Sequence, residues 1–314
     1  MGNGVILACG EAIVDLLPEE ADGELIYRPV LGGSLCNVAL CVARLGGQAG
    51  YLWEISTDRL GAMVRAALDA AGVDRTVAAP SERATPVALV DLSGPEPRYN
   101  IADPDRVMCD TLPPPLPGEI GCLVVGSAVL ALEPVGEAIE RLAEACECVA
   151  IDYNVRPPSI ADRDVYWARL RRISERATIV KASVADFEAL GLDDPRAIMQ
   201  SFVNRGVGLT ILTEANEGAS AWTAAGTARV PSSAKHIVDT VGAGDAFMAG
   251  ALVHLQRHGA LNRVQLATHD CESLAGLLGF AQSVAAVTCG RRGAVMPSLA
   301  DLPRGSVSNA AMEA

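Results

Sequence analysis

The run Asp239-Thr240-Val241-Gly242-Ala243-Gly244-Asp245-Ala246-Phe247 places three small residues and a carboxylate at the start of a stretch with helical periodicity that continues to His258. Small residues at 242–244 let a ligand approach the backbone closely. The unpaired N–H groups of a helix start, at the positive end of its dipole, suit an anion such as a phosphate. Asp245 falls in the first turn, where the same dipole keeps a carboxylate ionised and able to accept a proton at neutral pH. A carboxylate beside bound phosphate is repelled unless it serves the chemistry, and deprotonating an attacking hydroxyl is such a role. The plain alternative is that Asp245 is a helix-start charge and the glycines a tight turn.

Other phosphate motifs are excluded by inspection. The chain has two lysines, Lys181 and Lys235, and neither stands in a G-K-[ST] or V-A-I-K context. Phe247 occupies the place where a dinucleotide fingerprint needs Gly or Ala, and no G-x-G-x-x-G follows the N-terminal apolar run. Far upstream, Asp15 interrupts the apolar run Ala12–Leu17, and Gly32-Gly33 precede a helix with Asn37 in its first turn. A charge in a strand core is costly unless hydrogen-bonded, and substrate hydroxyls would satisfy it well. Taken alone, Asp15 reads equally as a turn cap and Asn37 as a helix-start amide. His254 and His258 have the i, i+4 spacing of a zinc grip, but His-Leu-Gln-Arg-His lacks a zincin glutamate and reads as a basic helix C-terminus.

These residues need elements to position them. From about Gly121, short apolar runs (Cys122–Val125, Cys148–Asp152, Thr178–Lys181, Leu209–Thr213) alternate with helix-length amphipathic segments (Val135–Cys146, Tyr166–Glu175, Val184–Leu190), and two long helices follow around Ala243–His258 and Glu272–Val287. That alternation predicts an α/β fold with a mostly parallel sheet covered by helices on both faces. The first third reads differently: Val5–Cys9 opens the chain as a strand, and Ala12–Leu17, Leu25–Pro29 and Val87–Leu92, joined by polar turns such as Glu19–Gly23, suggest a small antiparallel flap. Between them, Leu35, Val38, Ala39, Val42 and Leu45 follow helical spacing over Ser34–Leu45, and Gly46-Gly47 ends it.

Composition narrows the class. With 314 residues, half of them apolar, the chain can bury a full core. A net charge of -13 speaks against nucleic acid, which is bound through clustered Lys and Arg. Nine scattered cysteines, with no C-x-x-C pair, form neither a secreted disulfide framework nor a metal site. The N-terminus lacks the pattern of an export signal, and the apolar stretches are broken short of a membrane span, so a cytoplasmic protein without membrane contact is expected. Residues 304–314 read as a flexible tail.

The segments together resemble the ribokinase-like (PfkB) carbohydrate kinases, fructokinase-like members in particular, from Gly10 to about Pro297. The resemblance implies a ribokinase-like three-layer sandwich spanning residues 1–303, with a mostly parallel central sheet and a small β-strand lid from about 11–34 and 86–108. It also implies an ATP- and Mg2+-dependent sugar kinase. On the family pattern Asp245 is the catalytic base, Gly242, Ala243 and Gly244 form the anion hole, and Asp15, Gly32, Gly33 and Asn37 bind sugar hydroxyls. Further matches are Ala43-Arg44-Leu45-Gly46, Asp58 with Gly61, and Asp152-Tyr153-Asn154-Val155-Arg156, where Arg156 either assists a phosphate or is solvated.

Lys181-Ala182-Ser183-Val184-Ala185-Asp186 is similar to the family's N-x-x-E segment, with Ser183 and Asp186 at the two altered positions, near magnesium and phosphate. Thr213 and Gly218 match the ends of the nucleotide-site T-x-G-x-x-G, with Ala215 replacing its middle glycine. Gln282 stands for an Asn common in the last helix, and Glu54 for a glycine or basic residue. Cys289–Ala294 is similar to the end of fructokinase-type members, and 98–108 falls where they carry a lid strand. The partners implied are a small sugar and ATP, with a homodimer formed through the lid. Fructose, a 2-keto-3-deoxy sugar acid and a nucleoside remain open as acceptors. Tyr27 is the only aromatic in the first 50 residues, which favours a sugar. A non-catalytic binding protein on the same fold is the reading from another class.

Overall fold

Short runs such as Ile6-Leu7-Ala8-Cys9 and Leu123-Val124-Val125, apolar at every position, suit strands covered on both faces, and all of these side chains are buried. The computed structural model describes residues 4–91, 93, 98–117 and 120–303; the expected tail at 304–314 lies outside them. In chain order, β1 (Ile6–Cys9) leads into a hairpin, β2 (Ile13–Ala21) and β3 (Glu24–Gly32), then helix α1 (Ser34–Arg44) and β4 (Ala49–Leu52). Two short strands, β5 (Ile55–Ser56) and β6 (Pro80–Ser81), flank α2 (Arg59–Ala71). Next come β7 (Val87–Asp91), β8 (Arg98–Ala102) and the one-turn α3 (Val107–Asp110).

The second part alternates β9 (Cys122–Gly126), α4 (Val135–Glu144), β10 (Val149–Asp152), α5 (Arg163–Arg176), β11 (Ile179–Ser183), α6 (Val184–Leu190), α7 (Pro195–Asn204) and β12 (Leu209–Thr213). A hairpin, β13 (Ala219–Trp222) and β14 (Thr227–Val230), then precedes α8 (Ala243–Arg257), α9 (Arg263–Leu266) and α10 (Cys271–Cys289).

The main sheet has the order β14-β13-β12-β11-β10-β9-β1-β4. The six strands from β12 to β4 are parallel, and β13 and β14 extend the edge antiparallel. From β1 the chain goes first to β4 on one side and later to β9 on the other, so β1 marks a topological switch point, where open α/β sheets form ligand crevices at their carboxyl ends. α8 packs against both α1 and α10. α10, 19 residues long and apolar enough to cross a membrane, is instead a core helix: Leu274, Leu277, Leu278, Ala281 and Val284 are buried, and it contacts α8, β13 and β14.

The flap is a second sheet of order β3-β2-β7-β8. It is mixed rather than antiparallel throughout, because β2 and β7 pair in parallel through Asp15↔Ala88. The hairpin is also longer than the polar stretch Glu19–Gly23 suggested. Pairing continues to Ala21↔Glu24, the Glu19–Arg28 ion pair closes at 2.6 Å, and Asp22 and Gly23 alone make the turn, both at positive φ. An Asp-Gly pair with two positive φ values matches the right-handed twist of the strands it joins.

Candidate active site

Asp245 lies in the first turn of α8, and its carboxylate faces the start of α1. Ser34 Oγ donates to its Oδ1 at 2.6 Å and Asn37 Nδ2 to its Oδ2 at 2.9 Å. Two helix N-termini therefore converge on one buried carboxylate. Burial pushes its pKa above the ordinary value, while the hydrogen bonds from Ser34 and Asn37 and the charges of Arg156 and Lys181 act against that rise. The helix dipole is thus one influence among several, and the net direction favours proton uptake.

The glycines are fixed by space. Gly242 caps α8 at φ 77°, and a Cβ there would lie 2.7 Å from Met296 Cε and 2.9 Å from Ala294 Cβ. Gly244 leaves room for the Lys181 ammonium, 3.5 Å from the position its Cβ would take. Ala243 differs from its expected share in an anion hole: its N–H bonds Thr240 O at 3.2 Å within the turn. Asp239 straps this loop in place, accepting from Val241 N at 3.0 Å and from Gly293 N at 2.8 Å.

Asp15 is on β2, 7% exposed, and its Oδ1 has no hydrogen-bond partner among the described residues. Burial raises its pKa to about 6, with Asp245 adding to the rise. Gly32 packs on this carboxylate, since a Cβ there would meet Asp15 Oδ1 at 2.7 Å. Gly33, at φ 88°, packs on Glu11 O, which a Cβ would approach to 2.3 Å. Asn37 Oδ1 is a second buried acceptor with no partner among the described residues. Asp15, Leu17, Val30, Tyr99, Asp239 and Arg292 line a cleft between the lid and the body. Arg156, at the end of β10, is exposed, yet its charge acts on Glu11, Asp15 and Asp245.

The residues expected near the nucleotide follow the carboxyl ends of the next strands. Lys181 Nζ bonds both oxygens of Asp152 at 2.8 and 2.7 Å, a buried pair at the end of β10 and β11. Ser183 and Asp186 form a reciprocal cap on α6, and Asp186 Oδ1 also accepts from Val155 N at 2.7 Å. Thr213 ends β12. Gly218, at φ 104°, turns the chain back where a Cβ would meet Val230 O at 2.0 Å. Ala215 is held at φ 48°, a conformation a glycine adopts without strain. Gln282 is buried on α10, its backbone carbonyl accepting from Ser233 Oγ at 3.1 Å.

A match to the model of the pfkB family carbohydrate kinases covers residues 6–301. The chain belongs to this family. It is 34% identical to a fructokinase of Rhizobium leguminosarum bv. trifolii over 86% of this chain and 85% of that protein. It is 30% identical to an aminoimidazole riboside kinase of Salmonella typhimurium, covering 82% of this chain and 83% of that one. Among solved structures it superposes on a fructokinase with bound ATP from Xylella fastidiosa at TM-score 0.80 and 26% identity, covering 96% and 97% of the two chains.

Two residues of this pfkB-family site are not legible in the sequence. Ser34 follows the double glycine and looks like an ordinary helix start, but it serves Asp245. Glu11, directly after β1, is 3% exposed, and its Oε2 has no partner among the described residues. The available signal was a carboxylate two residues past a fully apolar strand. Asp58 with Gly61, matched to the family, acts locally. Asp58 caps α2 through Gly61 N at 2.7 Å and accepts from Thr85 N and Oγ1 at 2.8 and 2.7 Å.

Proposed function

We propose that this kinase transfers the γ-phosphoryl group of ATP to a hydroxyl of fructose. The observation that carries the reading is the pair of buried, unpartnered acceptors among the described residues, Asp15 Oδ1 and Asn37 Oδ1, beside an Asp245 held at two helix starts. Buried acceptors without donors call for a ligand rich in O–H groups. The acceptor hydroxyl would give its proton to Asp245 as it attacks phosphorus in line, and first-turn N–H groups of α8 would stabilise the charge developing on the phosphoryl oxygens. Closure of the lid over Asp15 excludes water, which otherwise competes as acceptor. The fructokinase relatives support fructose.

Lys181, Ser183, Asp186, Thr213, Gly218 and Gln282 frame the nucleotide side in this reading. Mg2+ neutralises charge on the ATP phosphates when bound. Asp152 and Asp186 are filled by Lys181 and by Ser183 and Val155, so the ion would be held chiefly through phosphate oxygens and water. Leu25, Ile26, Leu89 and Ile101, all exposed on the lid sheet, support a homodimer formed there. Eight free cysteines among the described residues fit the reducing cytoplasm.

A second acceptor class has its own support. Tyr99 lines the cleft, where an aromatic ring would stack on a nucleobase-like group, as a riboside kinase would require. The test is ATP turnover with fructose, 2-keto-3-deoxygluconate, aminoimidazole riboside and nucleosides, with Asp245→Asn as control. Fructose is expected to drive turnover, and the variant to lose about 10²- to 10⁴-fold in kcat while still binding fructose by calorimetry. Sugar binding without turnover by any acceptor would favour a binding protein, and an unchanged variant sinks the base assignment.

A further inference from the structure

The carboxyl ends of β1, β9 and β10 are adjacent on one sheet edge, at the switch point beside β1. Glu11 follows β1 by two residues and Arg156 follows β10 by four, on loops that leave the same edge two strands apart. Between them β9 ends in Gly126, which has no side chain and could bear none, since a Cβ would meet Asp152 O at 2.0 Å. The last residue of β9 thus puts no side chain between Glu11 and Arg156, and the space beside it is filled by the Asp152 backbone. In this structure Arg156 hydrogen-bonds only the carbonyl of Val155, its own neighbour, at 3.1 Å among the described residues. Glu11 is buried with Oε2 unpartnered, and the Tyr166 hydroxyl on α5 is likewise buried and unpartnered among the described residues. A buried carboxylate, a buried phenol and a nearby guanidinium without an acid partner form an incomplete set.

We propose that Glu11 is a positioning residue for phosphoryl transfer: its carboxylate draws the Arg156 guanidinium across the end of β9 and holds it on the phosphoryl group facing Asp245. Arg156 then bridges the anionic phosphoryl oxygens and a fixed internal counter-charge, and Glu11 never touches substrate. Burial raises the Glu11 pKa to about 7, and the charge of Arg156 lowers it. The titratable and charged groups facing Glu11 are Cys9, Cys36, Tyr51, Tyr166, Asp245 and Arg156. The thiols and phenols among them are all pushed upward by burial and stay neutral below pH 8. Because ionised Glu11 is the form that attracts Arg156, kcat rises with pH as Glu11 deprotonates.

The inference rests on the sugar-kinase reading and is tested with Glu11→Gln, Glu11→Asp, Arg156→Met and the Glu11→Gln/Arg156→Met double variant. Glu11→Gln is expected to lower kcat about 10- to 100-fold, as a misplaced group does, with the sugar KM within about threefold. It should also lose the part of the rising pH limb near pH 7 that Glu11→Asp retains, while the part set by Asp245 stays. Its melting temperature should hold or rise, because an unpaired buried charge is removed. The double variant should fall no more than about twofold below the lower single one, since residues acting through each other are not additive. Additive losses, wild-type kcat in Glu11→Gln, or a kcat loss matched by a fall in melting temperature would overturn the role of Glu11. A wild-type enzyme that turns over no sugar would defeat the kinase reading itself, and this inference with it.

Discussion

The proposed acceptor side, around Asp245, and the proposed nucleotide side, along β11 and β12, solve the same problem in opposite ways. Around Asp245, the polar atoms that matter are left short: Asp15 Oδ1 and Asn37 Oδ1 are buried without partners among the described residues. Along β11 and β12 the comparable groups are filled from within, Asp186 by Ser183 and Val155, Lys181 by Asp152, and Gly218 O by Glu214 N at 2.8 Å. An unsatisfied buried acceptor raises the free energy of the empty protein and is relieved by ligand, so selectivity concentrates where atoms are orphaned. A self-satisfied frame holds shape and leaves phosphates to backbone N–H groups, which any nucleotide can use.

The contrast can be broken by substitution. The largest effect is the loss of kcat in Asp245→Asn described above. Next, Asp15→Ala should raise the KM for fructose about 10- to 100-fold, the worth of a hydrogen bond to a charged acceptor, with little change in kcat. Its apo form should melt no lower than wild type, since ionising a carboxylate whose pKa is raised to about 6 opposes folding above that pH. A fall in melting temperature together with an unchanged KM would show that Asp15 belongs to the frame.

On the nucleotide side the expectation reverses. Asp186→Ala should cost about 1–3 kcal/mol of stability through the lost cap and the orphaned Val155 N–H, measured by urea denaturation. The KM for ATP should change less than about threefold, because the lost contacts are structural. A tenfold or larger rise in that KM at unchanged stability would make Asp186 a ligand of nucleotide or metal. The smallest effect is expected of Ala215→Gly, which relieves a positive φ but adds backbone freedom to the unfolded chain, for a net gain under about 1 kcal/mol. A large gain in ATP affinity would mean that the methyl group of Ala215 obstructs the nucleotide.

Period and composition made the second half of the fold legible. Val184–Leu190 and Leu209–Thr213 are found with the bounds read from sequence, because capping and apolar runs mark both ends locally. Helices α2 and α7, strand β4 and the β13–β14 hairpin do not stand out in the sequence. Gly-Ala-Met-Val-Arg-Ala-Ala-Leu gives little contrast between faces, and the four residues of Ala219–Trp222 become a strand only because β12 offers an edge. The direction of β7 is also illegible, since a short half-buried strand pairs in either sense until β2 is placed.

By itself the sequence determined the fold class, through strand-helix alternation, and the family, through its motifs, and it singled out Asp245, Asp15 and Asn37 as candidates, because these are local properties of the chain. Only the tertiary structure decided which polar atoms remain unpaired. That depends on what β1, α1, α5 and α8 bring against one another, and it separates Asp15, short of a donor among the described residues, from Asp58, which Gly61 and Thr85 fully occupy. It also brought in Ser34 and Glu11, whose places beside Asp245 follow from packing across more than two hundred residues of chain.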